Sequence, residues 1–333
     1  MRITMLHSAD ALEPPVDPVL DQVASTLETL GHSVARVPVA DNIVPVISEL
    51  QRARPELVFN LTESFNGVSS LDSNLAALLN LLGLRYTGSS PSGLMLCGDK
   101  SLTKKVLSFH GVRTPEFATV FRGALEHAGD IAFPLIVKPP QEDASIGITN
   151  RSIVHDLKEL LGTMDSLQSE FGTHVLLEQF IEGREFYVGV LGNMNARALP
   201  IMEMDFSGLP QGSPKIASWE AKWGADGSGE GPGADASTEF AGTKSVFPTD
   251  LEEALADRIQ RTAVSAFEAL RLRDYARIDM RVKPSGEIFV IEVNPNCYLE
   301  RSAEFARSAE QDGVNYHALV ANIVELASAR YAR

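Results

Sequence analysis

Residues 276–294, ARIDMRVKPSGEIFVIEVN, decide how this chain is read. Arg277 and Asp279 alternate with apolar residues, Pro284-Ser285-Gly286 supplies a turn, and Glu292 and Asn294 stand two apart on the return. Positions i and i+2 of a strand share a face, so Glu292 and Asn294 point the same way. A hairpin turning near Ser285 brings Asp279 opposite that pair. Two carboxylates and an amide oxygen on one face suit a hard, oxygen-seeking cation such as Mg²⁺. The alternative is an ordinary solvent-facing strand. Against it, both strands are otherwise apolar, and an isolated carboxylate beside a core is costly.

Outward from the hairpin, three lysines stand near Gly- or Ser-rich turns. Lys138 ends the strand FPLIVK, before the loop QEDASIG at 141–147, whose backbone N–H groups can meet phosphate oxygens. Lys100 falls in the first turn of a helix capped by Asp99, where the helix dipole disfavours a purely structural cation. Lys222 lies in WEAKW, beside a Gly- and Asp-rich run at 224–235 that reads as a mobile loop. Singly, each lysine is more often a solvated surface charge; beside a metal-binding face, together they make an anion site. The segment LLEQFIEGREF places Glu178 and Glu185 at either end of a strand–turn–strand with Gly183 at the bend.

A chain of 333 residues predicts two or three domains of roughly 100 residues each. Residues 1–90 alternate short apolar runs with amphipathic segments, which implies a parallel sheet with crossover helices. A formal net charge of −15 argues against a sequence-independent grip on nucleic acid or an anionic membrane. The opening MRITMLHSAD lacks the features of a signal peptide, and no run approaches the ~20 apolar residues of a membrane helix. Two cysteines, Cys97 and Cys297, fit a reducing cytoplasm.

Taken in order, LLGLRYTGSSPSGLMLCGDKSLTKKVLSFHGVRTPEF, FPLIVKPPQEDASIG, VLLEQFIEGREFYVGVLG, WEAKW and the 276–294 hairpin resemble the ATP-grasp superfamily, and within it the D-alanine–D-alanine ligase family. The resemblance implies an α/β ATP-grasp fold of three domains: 1–97, 98–181 and 182–333, with a mobile lid at about 223–245. It places ATP between the last two. It implies an ATP-dependent ligase that activates a carboxylate as an acyl phosphate and passes it to an amine, with two Mg²⁺ ions, or Mn²⁺ in their place.

Lys100 and Lys138 resemble the family's phosphate ligands, and Ser145, Ile146 and Gly147 its phosphate-covering loop. Glu178, Phe180 and Ile181 resemble the adenine-reading hinge, the last two through backbone groups, and Glu185 the ribose-binding carboxylate. Lys222 matches the lid lysine, Asp279, Glu292 and Asn294 the metal ligands, and Arg277 the arginine beside the transferred phosphoryl group. The expected partners are small carboxylates and amines. Family members are often homodimers, which the sequence neither supports nor excludes.

The substrate half departs from the family. Glu13 stands in for the family's first Ser-x-Glu carboxylate, Glu63 stands near the missing His-Gly pair, and NPNCYLERSAEFA replaces a Gly-Met-Thr run. Arg301 and Arg307 of this last segment could grip a carboxylate, or be surface arginines. Cys297 reads as a filler. D-alanine–D-alanine ligase itself, and a nucleotide-binding protein without catalysis, stand as the two rival readings.

Overall fold

The computed structural model describes residues 1–9, 16–121, 124–128, 131–141, 147–172, 174–217 and 242–331. The amino-terminal part runs β1 (Arg2–Ser8), α1 (Pro18–Thr29), β2 (Ser33–Val39), α2 (Ile43–Ala53), β3 (Leu57–Leu61) and α3 (Asp72–Leu81). Its three strands pair in parallel in the order β2-β1-β3, the arrangement expected from the alternation of runs. Helices α4 (Pro91–Cys97) and α5 (Lys100–Phe109) follow. Asp99 caps α5, its carboxylate accepting from the Ser101 and Leu102 N–H groups at 2.9 and 3.0 Å, which satisfies two of the orphan donors at the helix start.

Next come β4 (Phe117–Phe121), β5 (Ala124–Ala128), β6 (Leu135–Lys138), β7 (Ile153–Val154), α6 (Leu157–Phe171) and β8 (Val175–Gln179). These strands form a second sheet, β5-β4-β8-β6-β7, antiparallel throughout, backed by α6. A third sheet is built from β9 (Arg184–Gly192), β10 (Arg197–Ala198), β11 (Met202–Asp205) and β12 (Lys244–Val246). It is completed, after α7 (Glu253–Ala269), by β13 (Asp274–Val282) and β14 (Ile288–Asn294). Its order is β12-β11-β9-β13-β14, with β10 on the edge of β9. The chain closes with α8 (Glu304–Gln311) and α9 (Tyr316–Arg330).

Two details of the third sheet fix where its charged residues lie. The expected strand–turn–strand around Gly183 is not a hairpin: β8 belongs to the second sheet and β9 to the third. At the crossing the Gly183 backbone has φ +155°, and a Cβ there would stand 2.0 Å from the Val282 carbonyl oxygen, so only glycine fits.

The hairpin β13–β14 turns at 283–287, with Gly286 at φ +80°. It aligns Asp279 with Glu292 and Arg277 with Asn294, but then pairs Met280 with Val290, so Ile291 is an extra, bulged residue. Ile288 and Val290 face the core under α7, and so does Val293. Strict alternation from Val290 would send Glu292 to that same side. The bulge reverses the parity and delivers Glu292 and Asn294 to the opposite face.

The core lies on both sides of the third sheet. Phe186, Val188, Ala276, Ile278, Met280 and Val290 meet α7 on one face. Toward the other end Leu191, Tyr275 and Phe305 join a core with β1, β3, α1 and α9, so the first and third sheets share one apolar interior.

Candidate active site

Charged side chains line the remaining face of the third sheet, beside a small apolar cluster of Tyr187, Met202, Met204 and Phe206. Arg277, Asp279 and Arg281 alternate along β13, and Glu185 and Tyr187 oppose Arg281 and Asp279 across the β9 ladder. Arg277 forks onto Asp279, Nε to Oδ1 at 2.8 Å and Nη2 to Oδ2 at 2.9 Å, while its Nη1 reaches Glu304 at 3.3 Å. Burial works against the charged guanidinium, but Asp279 and Glu304 outweigh it and hold Arg277 well above the usual arginine range. Asn294 Nδ2 donates to Asp279 Oδ2 at 3.2 Å. Asp279, Glu292 and Asn294 therefore converge, as the hairpin reading requires.

The second sheet and α5 bring the cations. Lys100 Nζ lies 2.8 Å from Glu292 Oε1. Lys138, at the end of β6, and Glu178 sit diagonally on one face of the β6–β8 ladder, 3.1 Å apart. Glu178 also holds Lys104, one helical turn beyond Lys100, at 2.8 Å. Lys104 Nζ further reaches the Ile291 carbonyl at 3.4 Å, so the bulged residue anchors it. Burial pushes the Lys104 ammonium down to about 8, against the pull of Glu178. Burial alone would raise the Glu178 carboxyl; Lys104 and Lys138 overcome it and hold the group below its ordinary value. An open cleft separates the two sheets, lined among others by Lys100, Lys138, Glu178, Glu185, Asp279 and Glu292.

At the inner end of the cleft Phe180 and Ile181 form the link between sheets. The Phe180 N–H donates to the Pro134 carbonyl at 2.9 Å, and the Ile181 carbonyl accepts from Arg281 at 2.9 Å. Among the described residues, the Phe180 carbonyl and the Ile181 N–H have no backbone partner. Gly147 has φ +74° and packs against Pro139 and Phe171 beside the lining residue Ile148. Ser145, Ile146, Lys222 and Glu13 lie outside the described residues.

The other expected substrate residues sit elsewhere. Glu63 is exposed just past the carboxyl end of β3, its N–H donating to Ser8 Oγ at 3.2 Å, at the strand ends where ligands of parallel sheets gather. Arg301 is exposed, its guanidinium 4.8 Å above the Tyr316 ring, and it is not among the cleft's lining residues. Its loop is latched to α1: Tyr298 OH donates to Asp17 at 2.7 Å, Gln22 donates to Glu300 at 2.7 Å, and the Arg301 N–H donates to Gln22 at 2.8 Å. Arg307 bonds the Ser245 carbonyl at 3.0 Å and so joins α8 to β12. Cys297 is buried, and burial pushes its thiol far above the ordinary range; with so little thiolate it is a packing residue.

Lys104, Tyr187, Arg281 and Glu304 belong to the site but were not singled out from sequence. For three of them the signal was present. Lys104 is i+4 from Lys100 on one helix face, and Tyr187 and Arg281 are i+2 from Glu185 and Asp279 on one strand face.

A cleft between two antiparallel sheets, with lysines on one wall and a carboxylate–amide hairpin on the other, defines the class: an ATP-grasp ligase. A family model described as D-ala D-ala ligase C-terminus matches residues 105–325. An uncharacterized protein of Sinorhizobium fredii, y4sG, is 30% identical over 325 residues, covering 95% of this chain and 89% of that one. The D-alanine–D-alanine ligase of Bordetella petrii is 33% identical over 287 residues, 85% of this chain and 79% of the relative. The chain belongs to the D-alanine–D-alanine ligase family. Among solved structures, D-alanine–D-alanine ligase from Bacillus anthracis, crystallised with ATP, shares the fold at TM-score 0.75 and 23% identity, with 99% and 98% of the two chains covered.

Proposed function

We propose that this chain is an ATP-dependent carboxylate–amine ligase working on amino acids or related small molecules and releasing ADP and phosphate. The observation that carries the reading is the convergence of Asp279, Glu292 and Asn294 with Lys100 and Lys138 across one cleft. Phosphoryl transfer calls for positioning and charge neutralisation more than covalent help, and this is what the walls supply. Lys100, Lys138 and, from the lid, Lys222 offset phosphate charge. Arg277, fixed by its fork on Asp279, faces the transferred group. Gly147 with Ser145 and Ile146 would cover the phosphates, while the Phe180 carbonyl and Ile181 N–H offer one acceptor and one donor to adenine. Glu185 would accept from ribose hydroxyls.

The donor set is all oxygen, two carboxylates and an amide, which fits Mg²⁺ bound together with phosphates. Magnesium there would neutralise phosphate charge and align the γ-phosphoryl group with the attacking carboxylate oxygen. We read the chain as three units, 1–97, 98–181 and 182–333, with a lid at about 223–245. The strand β12 (Lys244–Val246), paired with β11, begins at the end of that span. Glu13, Glu63 and Arg301 are our candidates for holding the substrates. The small-molecule chemistry and two buried cysteines outside any disulfide fit the cytoplasm; a homodimer is the assembly common in the family.

A panel of amino acids and amines, scored by ATP-dependent product mass and phosphate release, tests the proposal. Background release with every pair, despite ATP binding, would favour a nucleotide-binding protein without catalysis. The curated relatives favour a second reading, D-alanine–D-alanine ligase itself. Turnover with D-alanine as sole substrate would establish it, and its absence beside turnover of another pair would remove it.

A further inference from the structure

Arg281 stands two residues beyond Asp279 on the cleft face of β13, opposite Glu185. It is 3% exposed and lines the cleft. Its Nε and Nη2 both donate to Glu185 Oε2, at 3.0 and 2.9 Å, and Nη1 donates to the Ile181 carbonyl at 2.9 Å. Nη2 also meets the Lys215 carbonyl. Its guanidinium carbon lies 4.8 Å from the Phe180 ring centroid. The second oxygen of Glu185 accepts from Tyr187 OH at 2.9 Å. Arg281 therefore ties together the carboxylate at 185, the link at 180–181 and the segment leading into 218–241.

This geometry is more than a buried ion pair needs. Both Glu185 oxygens are held, Oε2 by Arg281 and Oε1 by Tyr187. An ionised carboxylate has about four lone-pair directions, so these three donated bonds leave about one, on Oε1, for a ligand hydroxyl. Lysine could supply the charge but not the fork. With Phe180 beneath the guanidinium, the same residue sets the distance between the base-reading link and the carboxylate.

We propose that Arg281 is a positioning residue that fixes Glu185 toward the sugar hydroxyls of the bound nucleotide, so that the site selects ribose over deoxyribose. The inference rests on the ATP reading above. The test is titration of the full chain with magnesium–ATP, 2′-deoxy-ATP and 3′-deoxy-ATP, comparing wild type with Arg281→Met and Arg281→Lys, each checked by thermal melting. Wild type is expected to prefer ATP over at least one deoxy analogue by roughly tenfold or more, the size of a hydrogen bond to a charged group. Arg281→Met should cut that preference to about threefold or less, with Arg281→Lys between them.

A purely structural arginine would weaken all three nucleotides alike, and an unchanged preference in the folded variants overturns the proposal. So does a wild type indifferent to the deoxy analogues. If Arg281→Met does not fold, the preference in Arg281→Lys decides alone: reduced supports, unchanged overturns. A wild type that binds no ATP at all is a different result, because it removes the ligase reading itself.

Discussion

Asp279 is held on both oxygens by Arg277 and faces Glu292 across the ladder, so an amide at either carboxylate keeps shape while removing charge. Asp279→Asn and Glu292→Gln should each lower ATP-dependent phosphate release at least a hundredfold while the melting temperature stays within several degrees; near-normal turnover would remove the assigned role. Glu178 makes a second prediction, through pH. Its folded-state pKa is lowered from the ordinary 4.5, where burial loses to two lysines. The carboxylate's contribution to stability is then complete above about 4.5 and is lost as pH falls through the lower folded value. Glu178→Gln leaves two buried ammoniums without that charge, at a cost of about 3–5 kcal/mol near neutrality. The melting-temperature gap between wild type and Glu178→Gln should narrow between pH 5 and 3, and a constant gap would contradict the assignment. Much of this was legible in advance, because metal-binding and phosphate-binding chemistry constrains residue type and spacing. Lys104 and Arg281 stand at the spacing that puts them on the face of Lys100 and Asp279, but spacing along one element does not say which side chains it meets across the fold.

At the scale of elements, the helices and strands followed from pattern and caps: Asp99 starts α5 and Asp156 starts α6 as their chemistry demands. Which sheet a strand joins did not follow. The segment 176–186 reads as a strand–turn–strand, which it is, but only the fold shows that its two strands belong to different sheets, with Gly183 pressed against Val282 at the crossing. Gly183→Ala should therefore cost more than about 3 kcal/mol and weaken nucleotide binding with it. Gly162, exposed inside α6 with nothing within 4 Å of a would-be Cβ, is the control. Gly162→Ala should stabilise by about 0.5–1 kcal/mol. Thermal or denaturant melts check both, and equal effects of the two substitutions would refute the distinction.

Across the whole molecule, the first and third sheets share one core, and the loop after β14 is strapped to α1 by Tyr298, Gln22 and Arg301. The region we propose for the substrates is thus built jointly by segments from both ends of the chain, which is why its chemistry was the least readable part. Tyr298→Phe should cost about 1 kcal/mol and raise KM for the carboxylate or amine severalfold, leaving the ATP dissociation constant unchanged. An equal loss of ATP affinity would show that the strap serves the nucleotide instead.

The extra residue in β14 also governs which small changes in length the chain can survive. Removing Ile291 would give a more regular ladder by every local measure, yet it would rotate Glu292 and Asn294 into the oily interior beneath α7 and withdraw the carbonyl that steadies Lys104. The irregularity works as a reading frame for the hairpin. Length changes at the 283–287 turn are absorbed there, whereas a single codon lost between Val290 and Glu292 would silence the site while tidying the strand.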